Sequence, residues 1–192
     1  MSESPQVSLK ETERIISLAQ QALAVVGDFV ELGCYRGDTS IELARILKGS
    51  GKQLHLYDSF VGLPPKSQQD SSALGDRFVS GELPTSKADL IRRFQRAGLR
   101  VPHIKKAWFS NLNPADLPSS ISFAFLDGDF YSSIRDSLKL VSPLMSDQGI
   151  LVIHDYRNPA LPGVAQAVDE WNRNRHQRLE LYETLCYTVI SR

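Results

Sequence analysis

The apolar positions of this chain fall into short runs whose period changes repeatedly from helical to extended. Ser8-Leu-Lys-Glu11 has the spacing of a capping box, a hydroxyl followed three residues later by a glutamate. Behind it Leu9, Ile15, Ile16, Leu18, Ala19, Ala22, Leu23 and Val26 recur near the helical period and predict one apolar side. Gly27-Asp28 ends that helix. Phe29–Gly33 then reads as a short strand, and Thr39–Leu47 as a helix closed by Gly49 and Gly51. Gln53–Tyr57 is a second strand, Ser86–Ala97 a helix with its own cap signal in Ser86 and Asp89, and Pro102–Ala107 a third strand. Ile121–Leu126 and Gly149–Ile153 are continuous apolar runs of the kind that strands buried on both faces require. A helix from Tyr131 to Leu140 separates them, and a helix over Val164–Asn172 follows. The chain closes with Leu179–Tyr182 and Leu185–Ile190, divided only by Glu183-Thr184.

Strands that alternate with helices must pair in parallel, with the helices covering both faces of the sheet. Two final runs with no helix between them predict an antiparallel hairpin at one edge. The expected fold is therefore α/β and Rossmann-like, a seven-stranded, mostly parallel sheet with an antiparallel C-terminal hairpin, in one domain spanning residues 1–192. Dehydrogenases and transferases share this plan, so the fold alone does not name a reaction. Pro64–Glu82, rich in Ser, Gln, Asp and Gly, breaks the rhythm and is expected to form a lid loop over the site. Met1–Val7 is polar, lacks the apolar run of a signal peptide, and is expected to be disordered.

Composition narrows the class. Twenty-two basic residues balance twenty-two acidic ones, which argues against nucleic acid as a partner, because such binding needs a basic surface. Arg92, Arg93, Arg96 and Arg100 read as a solvated helix face. No window approaches the roughly 20 apolar residues of a membrane span, so no membrane partner is expected. Two distant cysteines, Cys34 and Cys186, suggest neither a disulfide framework nor a cysteine zinc site, and a cytoplasmic location follows. Exposed helices and the edge hairpin offer surfaces for a homodimer.

The unusual residues all fall at carboxyl ends of predicted strands, where open α/β sheets bind ligands. The first strand ends in Glu31-Leu-Gly33-Cys-Tyr-Arg-Gly37-Asp-Thr-Ser40, whose glycines allow a tight turn and close approach of a ligand to the backbone. It lacks the G-x-G-x-x-G of a dinucleotide turn, and Glu31 suits a cationic amino-acid group better than a pyrophosphate. The second strand ends in Asp58, which could accept both ribose hydroxyls of either a nicotinamide cofactor or S-adenosylmethionine. Ser59-Phe60 and Trp108-Phe109 each place an aromatic where adenine could be flanked, or where a core could be filled. Ile121–Leu126 runs into Asp127-Gly-Asp129, and the next strand into His154-Asp155-Tyr156. Carboxylates behind buried strands are costly unless they bind a cation or move a proton. Asp127, Asp129, His154 and Asp155 would share one rim, where three of them could hold a divalent ion. Helix capping by Asp129 and Asp155 is the alternative.

Taken in order, Phe29-Val-Glu-Leu-Gly-Cys-Tyr-Arg-Gly37, Asp58-Ser-Phe-Val-Gly-Leu-Pro64, Trp108-Phe109, Leu126-Asp-Gly-Asp-Phe-Tyr131, Asp155-Tyr156 and Pro162–Glu170 resemble the macrocin O-methyltransferase (TylF) family of antibiotic-sugar methyltransferases. The resemblance implies a class I fold, S-adenosylmethionine as cofactor, a magnesium-type ion (magnesium or manganese), and methyl transfer to a hydroxyl of a small molecule, often a sugar. Carried over, Glu31, Gly33, Tyr35, Arg36, Gly37, Ser40, Asp58, Ser59, Phe60, Trp108 and Asp127 contact the cofactor. Asp127 and Asp155 hold the metal, joined here by His154, and Asp129 is the general base. His154 departs from the family, which has an aspartate at that position; histidine would shift the preference among metals or remove the metal. A second departure is a shorter helical part before Phe29, which implies a more open acceptor site. A metal-independent methyltransferase and a non-catalytic S-adenosylmethionine-binding partner protein are the competing readings.

Overall fold

The computed structural model describes residues 6–75 and 78–191. Seven strands lie in the order β3-β2-β1-β4-β5-β7-β6. They are β1 (Asp28–Leu32), β2 (Leu54–Asp58), β3 (His103–Lys106), β4 (Ile121–Leu126), β5 (Met145–Ile153), β6 (Glu180–Tyr182) and β7 (Leu185–Val189). The first five pair in parallel, and β7 runs antiparallel to both β5 and β6. Helices α1 (Leu9–Ala22), α2 (Asp38–Ile46) and α3 (Lys87–Arg96) alternate with the early strands, and α4 (Tyr131–Val141) and α5 (Pro162–Asn172) with the later ones. No helix among the described residues is long and apolar enough to cross a membrane.

Strand alternation divides the apolar core between the two faces. Val30, Leu32, Ala124, Leu126, Leu151 and Ile153 pack with Ile134, Leu138, Val164 and Val168 of α4 and α5. Phe29, Phe123, Phe125, Ile150 and Val152 point the other way, against Ile15, Leu18, Leu43, Leu90 and Phe94 of α1, α2 and α3. The continuous apolar runs of β4 and β5 are thus explained by burial on both sides.

Three local expectations need correction. Leu9 and Val26 are exposed: the buried face of α1 runs through Glu11, Ile15, Leu18, Ala19 and Ala22, and the helix ends before Val26. β5 begins at Met145 instead of Gly149: Met145 pairs with Ile121, then the register slips, with Gln148 at φ 62 carrying the irregularity. The polarity of Ser146-Asp-Gln148 hides that ladder in the sequence. Val7 is buried in the core rather than disordered, and the disorder expected for Met1–Pro5 lies outside the described residues.

Candidate active site

Register builds the site. Leu32 is paired with Tyr57 on one side and Leu126 on the other, and Leu126 with Ile153. One residue further along, Asp58, Gly33, Asp127 and His154 therefore stand in a row at the carboxyl rim. The ladder continues through this row: the Gly33 amide donates to Tyr57, Asp127 to Leu32, and His154 to Leu126. Gly33 has to be glycine, since a Cβ there would lie 1.9 Å from the Asp127 carbonyl oxygen.

Above the row are two cavities of about 220 and 400 Å³, which share Gln6, Gly33, Tyr35 and Asp127 among their walls. The smaller is lined by Asp58, Ser59, Trp108, Asp129, His154 and Asp155, with Phe78, Leu83 and Phe109 adding apolar surface. The larger, beside α2, takes Glu31, Arg36 and Gly37. Ser40 and Phe60 line neither. Ser40 donates its hydroxyl to Glu31. The Phe60 ring is buried in the core on the α1–α3 face, and what Phe60 offers the rim is its amide, 2.7 Å from Asp58 Oδ1. Asp58 Oδ2 accepts from the amides of Cys34 and Tyr35, both at 3.0 Å, so this carboxylate ties the glycine turn to β2.

Four non-glycine residues at this rim have positive φ: Tyr35 (43°), Phe60 (56°), Asp129 (60°) and Asp155 (61°), one beyond each of β1, β2, β4 and β5. Such conformations cost about 1–3 kcal/mol each and persist where the surroundings impose them. Asp129 does not cap α4: the N-cap residue is Phe130, which offers no side-chain cap. Asp70, from the 64–82 segment, takes that role: its Oδ1 accepts the Tyr131 amide at 2.7 Å, while Oδ2 accepts from Ser67. Asp155 lies well before α5 begins at Pro162. Neither rim aspartate is a helix cap. The segment expected as a lid does border the cavity, through Pro64 and Phe78, and is fastened by Asp70 and by Ser72 on the Pro159 carbonyl. Asp76 and Arg77 of it lie outside the described residues.

Electrostatics mark the same residues. Burial lifts Glu31 to about 8, the Ser40 hydroxyl opposes it, and Asp127 and Asp58 add to the rise. Burial, then the charges of Asp127 and Asp155, hold Asp129 well above the ordinary carboxylate range. His154 is disfavoured as a cation by burial, but Asp127, Asp155 and Glu11 outweigh this and raise it well above its usual value. Its Nδ1 lies 3.0 Å from Asp127 Oδ1 and 3.0 Å from Asp155 Oδ2. Asn158 holds the other Asp155 oxygen at 2.8 Å. Ligands about 2.1 Å from one octahedral ion stand about 3 Å apart, so Asp127, His154 and Asp155 suit a small divalent ion in spacing and in donor type. These three are the set among the described residues whose donor atoms all lie within 4.8 Å of one another.

Some residues of the site carry no sequence signal. Gln6, Ser133 and Asn158 reach the cavities from outside the recognisable strand ends. Glu11, expected only as a capping partner, lies 3.8 Å from His154 Nε2. His55 and His103, by contrast, stack on each other within β2 and β3, away from both cavities.

Comparison with known proteins identifies the family and the fold. Residues 8–188 match the macrocin O-methyltransferase (TylF) family. A tetracenomycin-type rhamnosyl 4'-O-methyltransferase from Streptomyces olivaceus is 31% identical over 162 residues, covering 78% of this chain and 61% of the relative. The mycinamicin III 3''-O-methyltransferase of Micromonospora griseorubida is 29% identical over 182 residues, covering 88% and 70%. The chain thus spans about three fifths to seven tenths of the length of these relatives. In fold it superposes on the solved O-methyltransferase NovP with a TM-score of 0.84 at 23% identity, covering all of this chain and 84% of the other. With the family match running over nearly its whole length, the chain belongs to the macrocin O-methyltransferase family.

Proposed function

We propose that the chain is an S-adenosylmethionine-dependent O-methyltransferase acting on a hydroxyl of a small molecule, in the class of sugars or glycosylated metabolites. The observation that carries this reading is the convergence of Glu31, Asp58, Asp127, Asp129, His154 and Asp155 on two adjoining cavities at one rim. When bound, S-adenosylmethionine supplies a methyl group on a sulfonium, which an attacking oxygen takes as the C–S bond breaks and its electron pair stays on sulfur. Asp58 would receive the ribose hydroxyls with the lone pairs its backbone contacts leave, and Trp108 would flank the adenine. Glu31, on the α2 side of Asp127, would meet the cationic amino-acid end, a role that favours its ionised form. A solved O-methyltransferase from Bacillus cereus in complex with S-adenosylhomocysteine shares the fold at a TM-score of 0.66, with 13% identity, which lends the cofactor assignment support at the level of architecture.

Asp129 faces the cavity beside Asp127 and His154 and would accept the acceptor hydroxyl's proton as the oxygen bonds to the methyl carbon. Its raised proton affinity matches a base that must hold a proton near neutral pH. Asp127, His154 and Asp155 would hold a divalent ion, which polarises the hydroxyl and makes its proton easier to remove. One observation favours a metal-independent variant: a protonated His154 would satisfy both carboxylates as it stands. Chelation separates the two, since turnover should vanish in the first case and persist in the second. A cytoplasmic setting goes with this reading, and the exposed Leu181, Tyr182 and Val189 of the edge hairpin would serve a homodimer, which sedimentation would reveal.

The direct test is methyl transfer from labelled S-adenosylmethionine to a panel of hydroxylated glycosides. A labelled ether product, lost on Asp129→Asn, is expected. Binding of the cofactor product with no transfer to any acceptor would instead favour a non-catalytic partner protein.

A further inference from the structure

Glu11 is a buried charge that the proposed chemistry does not use. It is 4% exposed, in the first turn of α1, far in sequence from every rim residue. A capping box needs only the exchange with Ser8, whose amide and hydroxyl lie 3.1 and 2.7 Å from Glu11 Oε2. Here the other oxygen, Oε1, accepts from the amide and hydroxyl of Thr184, in the turn between β6 and β7, at 3.0 and 2.6 Å. A capping carboxylate placed at the surface would avoid the cost of burial altogether. Burial here sets Oε2 3.8 Å from His154 Nε2, while His154 Nδ1 faces Asp127 and Asp155. Both ring nitrogens of His154 are therefore matched to carboxylates from opposite sides.

We propose that Glu11 is a positioning residue for the rim: its carboxylate holds His154 with Nε2–H directed at α1 and the Nδ1 lone pair directed into the cleft between Asp127 and Asp155. This rests on the metal-assisted form of the proposed function. A metal-ligating histidine usually turns its second nitrogen to a carboxylate, which fixes tautomer and ring orientation and raises the basicity of the ligating nitrogen. The Ser8 and Thr184 contacts, in turn, fix Glu11. The first helix and the edge hairpin are by this route part of the site, although neither contributes a ligand.

The test is calorimetric titration of manganese into the full chain, comparing wild type with Glu11→Gln and with Thr184→Val. The second variant disturbs the anchoring of Glu11 but leaves its Oε2 facing His154. Glu11→Gln is expected to weaken manganese binding about 10-fold or more, the usual effect of removing such an outer carboxylate. Thr184→Val is expected to change it by less than about threefold even where its melting temperature falls as far, since only Oε1 loses a partner. Equal manganese affinity in wild type and Glu11→Gln overturns the role while leaving the metal reading intact. Absence of saturable manganese binding to wild type overturns the metal reading, and this role with it. Should Glu11→Gln fail to fold, nitrogen NMR of wild type loaded with magnesium decides alone. A proton on Nε2 with a bare Nδ1 supports the assignment, and the opposite tautomer overturns it.

Discussion

Two carboxylates at the rim, the buried Glu31 and the half-buried Asp129, make opposite demands on pH. Glu31, raised to about 8 from an ordinary 4.5, binds its proton more tightly in the folded chain than in the unfolded one. The folded state is therefore penalised progressively as pH rises from about 4.5 to about 8, and the penalty levels off above that. Glu31→Gln keeps an acceptor for the Ser40 hydroxyl and removes the ionisation. It should stabilise the ligand-free protein by on the order of 3 kcal/mol at pH 8 and hardly at all at pH 4, a difference read from melting temperatures across that range. The same variant should weaken S-adenosylmethionine binding. Asp129 acts on turnover instead. Because burial and the neighbouring aspartates raise it, kcat should climb with pH along a limb displaced above the ordinary carboxylate range. Asn tolerates the positive φ of Asp129, so Asp129→Asn should keep the fold and lower kcat by roughly 100-fold or more.

Among the elements, the segment before α3 holds an anchor that its sequence does not reveal. Its polarity and weak periodicity suggest a lid loop, and within it Asp70 is 1% exposed and sits against the starts of two helices. It caps α4 through Tyr131, and a Cβ at Gly163 in the first turn of α5 would come within 2.0 Å of its Oδ1. Asp70→Ala should destabilise the protein by about 1–2 kcal/mol through the lost cap. Gly163→Ala should be costly alone and much milder in the Asp70→Ala background, a coupling that denaturant unfolding of the four proteins would measure. No local pattern marks Asp70, because its partners lie far along the chain. Helix starts were more legible. Ser8 and Ser86 both accept the amide three residues on, as their spacing implied, because a cap is a local exchange.

For the whole molecule, the strand count and the hairpin were legible because most β-runs are short and apolar, and the last two are divided by only two residues. The rim was legible for a related reason: in a parallel sheet every strand's apolar run ends on the same side, so Gly33, Asp58, Asp127 and His154 had to meet. What lay beyond reach was the backbone twist at Tyr35, Phe60, Asp129 and Asp155, none of which is glycine, and the approach of Glu11 on α1 to His154. Both arise from tertiary packing that no window of sequence contains. The burial of the Phe60 ring is a third case, since an aromatic after β2 fits cleft and core equally well until α2 and α3 are placed.

The most direct measurement on the central claim is calorimetric titration of the full chain with S-adenosylhomocysteine, which needs no knowledge of the acceptor. Saturable binding at one site per chain, weakened by Asp58→Ala, is the predicted result. A correctly folded chain that takes up no S-adenosylhomocysteine, with or without magnesium or manganese present, would contradict the assignment of the cleft to this cofactor.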